Sequence, residues 1–231
     1  LERAVSCDPV SAFGGILAFS RPLKAVTAEA ITESFYEAVV APDYSEQALE
    51  ILARKPNLRI LRMPEGALQG TQILESRQSF RSVEGGVLMQ DSDSISDVDF
   101  RQWHTVTRQQ AGPECQADMY LAWCLVRHVA SNAVVFVKDG MSLGIGAGQM
   151  SRLDSTRIAI QKAGDAELDL NGSVAASDAF YPFPDAMEKA AEAGAAIILH
   201  PGGSRNDEEV IARADQLGKV MIITGRRHFR H

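Results

Sequence analysis

The segment 131–152 constrains the fold of this chain more than any other. It begins with an apolar, β-branched run, 133–137, which is typical of a buried strand. Asp139-Gly140 then favours a tight hairpin turn, and a second apolar run follows it. A glycine-rich loop, 144–148, leads into a predicted helix that Ser151 is able to cap. The segment therefore predicts a strand, a hairpin, a second strand, a glycine loop and a helix.

The glycine loop allows two interpretations. The free N–H groups and the positive dipole end of a helix N-terminus suit an anionic ligand. Glycine is also typical of places where a helix packs tightly on a sheet. The spacing alone leaves both interpretations open.

Short apolar runs and capped helical segments alternate along the rest of the chain, which predicts an α/β fold with a parallel or mixed sheet. The acidic, serine-rich segment 91–99 is the best candidate for a boundary. We therefore predict two domains, 1–99 and 100–231. In the second, an aromatic-proline turn (178–185) and another glycine loop (200–204) follow predicted strands, where open α/β sheets bind ligands.

Composition excludes several classes of protein. A net charge of −7 argues against non-specific binding to nucleic acids. The three cysteines are scattered without a CxxC pair, so neither a disulfide framework nor a zinc site is indicated, and a reducing cytoplasm fits. No apolar run approaches the ~18 residues of a membrane span. No signal-peptide pattern is present, and the missing initial Met predicts a fragment.

A few side chains combine charge, an aromatic face and a neutral polar group. Arg227 is suited to a phosphate or carboxylate, although a solvated basic tail explains it equally well. Phe180, Phe183 and Phe229 are able to sandwich a planar heterocycle, with core packing as the alternative for each. Asn132, at a strand start, is able to address a carbonyl. Asp178 and Asp185 flank the aromatic turn as candidate ligands or helix caps.

Five segments resemble one family, the bifunctional purine biosynthesis proteins, in the same order along nearly the whole chain. They are DPVSAFGG from Asp8, the 131–152 segment, SDAFYPFPD from Ser177, PGGSRNDEEVI from Pro201 and the terminal RHFRH. The resemblance implies two cytidine-deaminase-like α/β/α subdomains, the first incomplete, in a homodimer. It also implies formyl transfer from 10-formyltetrahydrofolate to aminoimidazole-carboxamide ribonucleotide (AICAR), in an enzyme that is also an IMP cyclohydrolase.

The resemblance also implies roles for individual residues. Asn132 corresponds to the asparagine near the formyl group. The substrate-binding residues are expected to be Arg227, Phe229, Phe180, Asp185, Phe13 and Gly14. The folate-binding residues are expected to be Arg152, Pro182 and Phe183. A possible potassium ion would lie near Asp178 and Ser131.

The chain departs from the family pattern in one respect. The Lys-His pair that the family places before DPVSAFGG for proton transfer does not occur, since no lysine in this sequence is followed directly by a histidine. We therefore expect a fragment of the transformylase half that is inactive alone, with a non-catalytic folate- or nucleotide-binding fragment as the alternative. A zinc deaminase is a second alternative by fold analogy, but the His-x-Glu and Pro-Cys-x-x-Cys motifs are missing.

Overall fold

A computed structural model of the chain describes residues 1–64, 78–91, 93 and 102–228. Phe229 and most of the predicted boundary segment lie outside the described residues. The chain divides into two compact units, one of residues 1–5 and 9–97 and the other of residues 6–8 and 98–231.

The first unit contains a three-stranded parallel sheet in the order β1-β2-β3. Its strands are β1 (Ile16–Ala18), β2 (Ala38–Ala41) and β3 (Arg59–Arg62), and its helices are α1 (Glu2–Val5), α2 (Ala25–Thr32) and α3 (Glu46–Leu52). Ser45 caps α3, since its hydroxyl accepts a hydrogen bond from Ala48 N at 3.2 Å. Ile31, Val39 and Leu52 form the centre of the core between the helices and the sheet.

The first unit also carries an antiparallel hairpin of β4 (Gln78–Val83) and β5 (Gly86–Asp91). The turn uses Gly85 at φ +81°, an angle that glycine reaches at no steric cost. Every residue of both strands is exposed, including the cross-strand pair Phe80 and Met89. A two-stranded hairpin of this kind is at best marginally stable when nothing covers it.

The second unit is built on a six-stranded mixed sheet in the order β6-β11-β10-β9-β7-β8. Strands β9, β10 and β11 are parallel, β7 is antiparallel to both β8 and β9, and β6 is antiparallel to β11. In chain order the elements are β6 (His104–Thr105), α4 (Gln116–His128), β7 (Val134–Lys138), β8 (Met141–Gly146), α5 (Arg152–Asp165), β9 (Val174–Ser177), α6 (Pro184–Glu192), β10 (Ile197–His200), α7 (Asp207–Gln216) and β11 (Val220–Ile223). The predicted mixed α/β class is confirmed.

Strand β7 shows why the sheet is buried on both faces. Val134 and Phe136 pack in the cluster that contains α5, α6 and α7, whereas Val135 and Val137 pack in the cluster that contains α4. All four side chains are fully buried. Because side chains alternate between the two faces of a strand, a continuous apolar run fits a sheet between two helical layers.

The predicted hairpin between β7 and β8 is confirmed. Asp139 and Gly140 adopt positive φ angles of 52° and 69°, which a primed two-residue turn requires. The side chain of Asp118 on α4 accepts hydrogen bonds from both of their N–H groups, at 2.8 and 2.7 Å. The turn is therefore tied to the helix that packs beneath it.

The strand directions bring several loops to one edge of the sheet. The carboxyl ends of β8, β9, β10 and β11 lie at this edge, together with the amino end of β7. Open α/β sheets bind their ligands at such an edge. In the parts of the chain that the structure covers, no helix is long and apolar enough to cross a bilayer.

Candidate functional site

Asn132 lies at the amino end of β7 and is held by the loop that follows β8. Its backbone N–H and its side-chain Nδ2 both donate to Gln149 O, at 3.2 and 2.9 Å. The backbone carbonyl oxygen of Asn132 accepts a hydrogen bond from Ser155 Oγ at 2.8 Å. Since a carboxamide has a second N–H and an acceptor oxygen, this half-buried side chain retains the groups needed to address a ligand.

A buried ion pair joins the start of α5 to the end of β9. Arg152, the first residue of α5, donates from Nε to Ser177 Oγ at 2.9 Å and from Nη2 to Asp178 Oδ1 at 3.2 Å. The side chains of Arg152 and Asp178 are 10% and 0% exposed. The predicted folate ligand Arg152 is therefore engaged by two neighbours inside the protein.

The predicted glycine loop 144–148 begins inside β8, and its glycines Gly144 and Gly146 are strand residues that admit α5 to the sheet. A Cβ on Gly146 would lie 1.8 Å from Ser155 O, and one on Gly144 would lie 2.2 Å from Ala159 O. The N-terminus of α5 is capped by its own residues, because Ser151 Oγ accepts from Asp154 N at 3.0 Å. Of the two interpretations left open by the sequence, close packing is the one that these contacts fit.

The second glycine loop lines a pocket of about 400 Å³ at the same edge of the sheet. The pocket lies between the ends of β10 and β11. Its lining residues are Phe180, Pro201, Gly202, Gly203, Gly225 and Arg227. The structure thus brings together two predicted substrate-binding residues, Phe180 and Arg227, which are far apart in the sequence.

The N–H groups of this loop are bound by the loop's own side chains. Gly202 N donates to Nδ1 of His200 at 3.2 Å, and Gly203 N donates to Oδ2 of Asp207 at 2.7 Å. These two N–H groups are consequently directed into the loop, and the positively charged side chain among the lining residues is that of Arg227.

His200 is fully buried beneath the loop, with its ring 5.4 Å from that of Tyr181 in an edge-on contact. Burial lowers the pKa of His200 to about 4; Asp207 raises this pKa, and the positive charge of Arg152 lowers it. Burial likewise raises the pKa of Tyr181 well above its usual range. Both side chains are therefore neutral at pH 7.

The aromatic-proline turn is joined to the second glycine loop through Pro182, whose carbonyl oxygen accepts from Asn206 Nδ2 at 2.8 Å. Phe180 is half-buried against the pocket, whereas Phe183 is 59% exposed. Asp185 is exposed in the first turn of α6, where its Oδ1 accepts from Ala186 N at 2.7 Å. The turn thus places Phe180 at the pocket and leaves Phe183 and Asp185 on the surface.

Phe13 and Gly14 belong to the first unit, in the turn before β1. Phe13 is 68% exposed and its ring lies 5.4 Å from that of Phe35. Gly14 has φ +71° and donates its N–H to Phe35 O at 2.9 Å. The turn presents an exposed aromatic surface within its own unit.

Metal-binding groups are sparse. Among residues 1–64, 78–91, 93 and 102–228, no cluster of three or more His, Cys, Asp or Glu side chains is able to hold a metal ion. Two carboxylate oxygens, Oδ2 of Asp178 and Oδ1 of Asp207, are buried without a hydrogen-bond partner within that part of the chain. Asp178 is the one that the sequence places near a potassium ion. The Ser131 segment runs beside it, since Asp178 N donates to Ala133 O at 3.3 Å.

Sequence reasoning did not assign a role in the site to Ser177, His200, Asp207 or Gly225. Ser177 and Asp207 act through contacts with Arg152 and Gly203 that depend on the fold. His200 carried a usable signal, because it stands two residues before Gly202 at the end of an apolar strand.

A family model described as the AICARFT/IMPCHase bienzyme matches residues 1–162 of the chain. The bifunctional purine biosynthesis protein PurH of Cereibacter sphaeroides is 49% identical over 99% of this chain and 44% of its own length. The protein of the same name from Chloroflexus aurantiacus is 47% identical over 100% of this chain and 44% of its own length. The chain thus spans less than half the length of these relatives.

Among solved structures, a dCMP deaminase from the cyanophage S-TIM5 matches 48% of this chain and 98% of its own. The identity is 21% and the TM-score is 0.34. A similarity at this level does not establish a shared fold.

Proposed function

Because the chain belongs to the AICARFT/IMPCHase bienzyme family, we propose that it acts in purine biosynthesis by formyl transfer. The donor is 10-formyltetrahydrofolate and the acceptor is the amino group of AICAR. The observation that supports this most directly is the pocket in which Phe180 and Arg227 meet at the ligand-binding edge of the sheet.

The ribonucleotide is the ligand that suits this pocket. The guanidinium group of Arg227 is complementary to an anionic or carbonyl oxygen, and the ring of Phe180 offers a face to a planar base. The volume of about 400 Å³ is that of a small-molecule site. The neighbouring Pro182 and the exposed Phe183 are proposed to border the approach of the folate, and the exposed Asp185 is proposed to contact the ribonucleotide.

Asn132 is the proposed residue for the formyl group. Its remaining amide N–H is able to donate to the carbonyl oxygen of the formyl group, which becomes more negative as the amine attacks. The bond from Nδ2 to Gln149 O holds the side chain, and the bond from Ser155 Oγ to the backbone oxygen of Asn132 holds the backbone. Pre-organised donors of this type contribute about 10²–10³-fold to rate.

The acceptor amine must also lose a proton. His200 is poorly suited to take it, because it is buried and its Nδ1 already accepts from Gly202. We therefore propose that the base comes from the Lys-His pair that the family resemblance implies and this chain lacks. The second candidate function is that the 231-residue chain alone binds a ligand without catalysis. The burial of His200 and its bond from Gly202 favour this candidate, because they make His200 a poor base.

Two further features belong to this proposal. The exposed apolar hairpin of β4 and β5 supports a homodimer, in which a second copy would cover Phe80 and Met89. The buried Oδ2 of Asp178 suits a potassium ion, with the Ser131 segment beside it, although Arg152 already neutralises the other carboxylate oxygen. The domains 1–99 and 100–231, their deaminase-like folds and a cytoplasmic location stay predictions.

A turnover assay tests the proposal. The full-length protein should transfer the formyl group to AICAR, and Asn132→Ala should lower kcat by about 10²–10³-fold. Asn171→Ala, on an exposed loop, is the matched control and should retain wild-type turnover. Wild-type protein without turnover would contradict formyl transfer. The 231-residue chain assayed in parallel separates the two candidates, since turnover at the full-length rate would exclude binding alone.

A further inference from the structure

The turn that lines the pocket is held from below by a side chain that does not itself line it. His200 ends β10, is fully buried, and accepts a hydrogen bond at Nδ1 from Gly202 N at 3.2 Å. The bond joins a side chain to the N–H two residues later. This is the geometry of an Asx turn, with the imidazole nitrogen in the place of the carboxamide oxygen.

The backbone of this turn needs such support. Gly202 and Gly203 have φ angles of +70° and +96°, and a Cβ on Gly202 would lie 2.9 Å from a side-chain carbon of Ile223. Glycine reaches these angles at no steric cost, but it also has the most conformational freedom to lose. A bond from a rigid, buried ring selects one conformation of the turn.

The other hydrogen bonds around the loop hold residues on either side of Gly202. Gly203 is held by Asp207 at 2.7 Å, and the neighbouring strand end is held by the bond from Gly225 N to Pro201 O at 3.2 Å. Gly202 lies between these two points and donates its N–H to His200.

We propose that His200 is a positioning residue, which fixes the turn at Gly202 in the shape that the pocket needs to bind the ribonucleotide opposite Arg227. The inference rests on the proposed function, since it assigns the ribonucleotide to this pocket. His200 has no role in proton transfer. Its task requires the neutral tautomer with the proton on Nε2, so that Nδ1 is free to accept.

The surroundings of the ring favour that neutral form. Burial keeps the pKa near 4, the charge of Arg152 acts in the same direction, and the carboxylate of Asp207 opposes it. The ring of Tyr181 contacts the imidazole of His200 edge-on, with 5.4 Å between the two ring centroids, and so helps to hold the imidazole in its orientation. His200 is thus an acceptor throughout the range from pH 5 to 8.

The tautomer gives the first test and needs no ligand. Nitrogen-15 NMR of histidine-labelled full-length protein should show His200 as a neutral ring protonated on Nε2 at pH 7. The signal is assigned by its absence from the His200→Asn or His200→Leu protein. A ring protonated on Nδ1, or on both nitrogens, would overturn the proposal.

Three variants of the full-length protein test the link to binding, with AICAR as the probe. His200→Leu removes the acceptor, whereas His200→Asn restores one at the δ position, as in an ordinary Asx turn. Thr224→Val is the control, because Thr224 N bonds His200 O but its side chain makes no bond to the loop. We expect KM for AICAR to rise roughly three- to tenfold for His200→Leu, with kcat within about twofold. His200→Asn and Thr224→Val should remain near wild type.

A merely structural role for His200 gives a different pattern. Asn would then fail to rescue KM, or Thr224→Val would raise it as much as Leu does, and either result overturns the proposal. If the Leu variant does not fold, the tautomer measurement decides. Wild-type protein that binds no AICAR would contradict the proposed function, whereas a wild-type affinity that His200→Leu leaves unchanged would contradict this inference alone.

Discussion

The two glycine loops of the second unit, 144–148 and 201–203, look alike in the sequence and differ in what their glycines do. In the first loop, the missing side chains let α5 approach β8 until a Cβ on Gly146 would strike a backbone oxygen at 1.8 Å. In the second, both Gly202 and Gly203 supply positive φ angles beside an open pocket, whereas in the first only Gly148 does so. Glycine is therefore required before a helix for two distinct physical reasons, the close approach of the helix to a strand and a positive φ angle of the backbone.

The arginines associated with the two loops differ in the same way. Arg152 follows the first loop and is 10% exposed, paired with a carboxylate that is 0% exposed. Arg227 lies beside the second loop, exposed at the pocket. Arg152 is paired inside the fold, and we propose that Arg227 binds a ligand. Substitutions in the two loops should separate these two roles.

Removing the charge at the first loop should cost the most stability. Arg152→Leu leaves Asp178 buried without its partner, and a broken buried ion pair costs about 3–5 kcal/mol. Arg157→Leu, on the same helix, is the control, since its pair with Asp154 is exposed and worth less than about 1 kcal/mol. Denaturant unfolding followed by tryptophan fluorescence measures both, because both tryptophans of this chain lie in the second unit. Equal losses would show that burial of the first pair is unimportant.

Adding one methyl group in the first loop should cost about 3 kcal/mol of unfolding free energy, the upper end of the usual range for overpacking. Gly146→Ala makes this change, and the clash is severe because it involves backbone that cannot rotate away. Gly164→Ala in α5 has nothing within 4 Å and should instead stabilise the helix by about 0.5–1 kcal/mol. The same unfolding experiment applies, and a stable Gly146→Ala protein would remove the packing explanation.

Acid should weaken the second unit through His200. Its pKa falls from 6.5 to about 4 on folding, so the unfolded chain takes up a proton first as the pH drops. The contribution to stability is complete above pH 6.5, declines as the pH falls toward 4, and totals about 3 kcal/mol. Urea unfolding between pH 4 and 7 should show this decline, and His200→Asn should flatten it. The first loop, 144–148, has no titratable side chain, so its own side chains should add no pH dependence to the stability of the second unit. Identical slopes for both proteins would contradict the assignment.

A methyl group in the second loop should change binding more than folding. Gly202→Ala forces a side chain into φ +70°, which costs about 1–2 kcal/mol, and it disturbs the wall of the pocket. Gly218→Ala imposes similar strain, at φ +64°, after α7 and away from the pocket. Gly202→Ala should lose at least as much stability as Gly218→Ala, because its Cβ also lies 2.9 Å from Ile223, but only Gly202→Ala should weaken AICAR binding in calorimetry. Equal affinities of the two variants for AICAR would show that the turn at Gly202 does not contribute to binding.

The parts of the fold that the sequence predicted are those with local causes. Asp139-Gly140 predicts its hairpin because the two residues themselves tolerate positive φ. The apolar run of β7 predicts a strand covered on both faces. The role of Gly146 was not decidable, because it depends on the position of Ser155 after the helix has packed.

The site was predictable only where the family resemblance supplied the pairing. Phe180 and Arg227 meet because β9 and β11 end at the same edge, and no spacing rule brings such distant residues together. The pair of Arg152 and Asp178 is equally non-local, so the resemblance assigned Arg152 to folate without indicating its buried partner. Phe229 lies outside the described residues, and its role stays a prediction.

We propose that the second loop and Arg227 form the ribonucleotide site. Titration calorimetry of the full-length protein with AICAR tests it most directly. Arg227→Ala should weaken binding by about 1.5–3 kcal/mol, the range for hydrogen bonds to charged groups, whereas Arg157→Ala should bind as the wild type does. An Arg227→Ala protein with wild-type affinity, or equal losses in the two variants, would contradict the account.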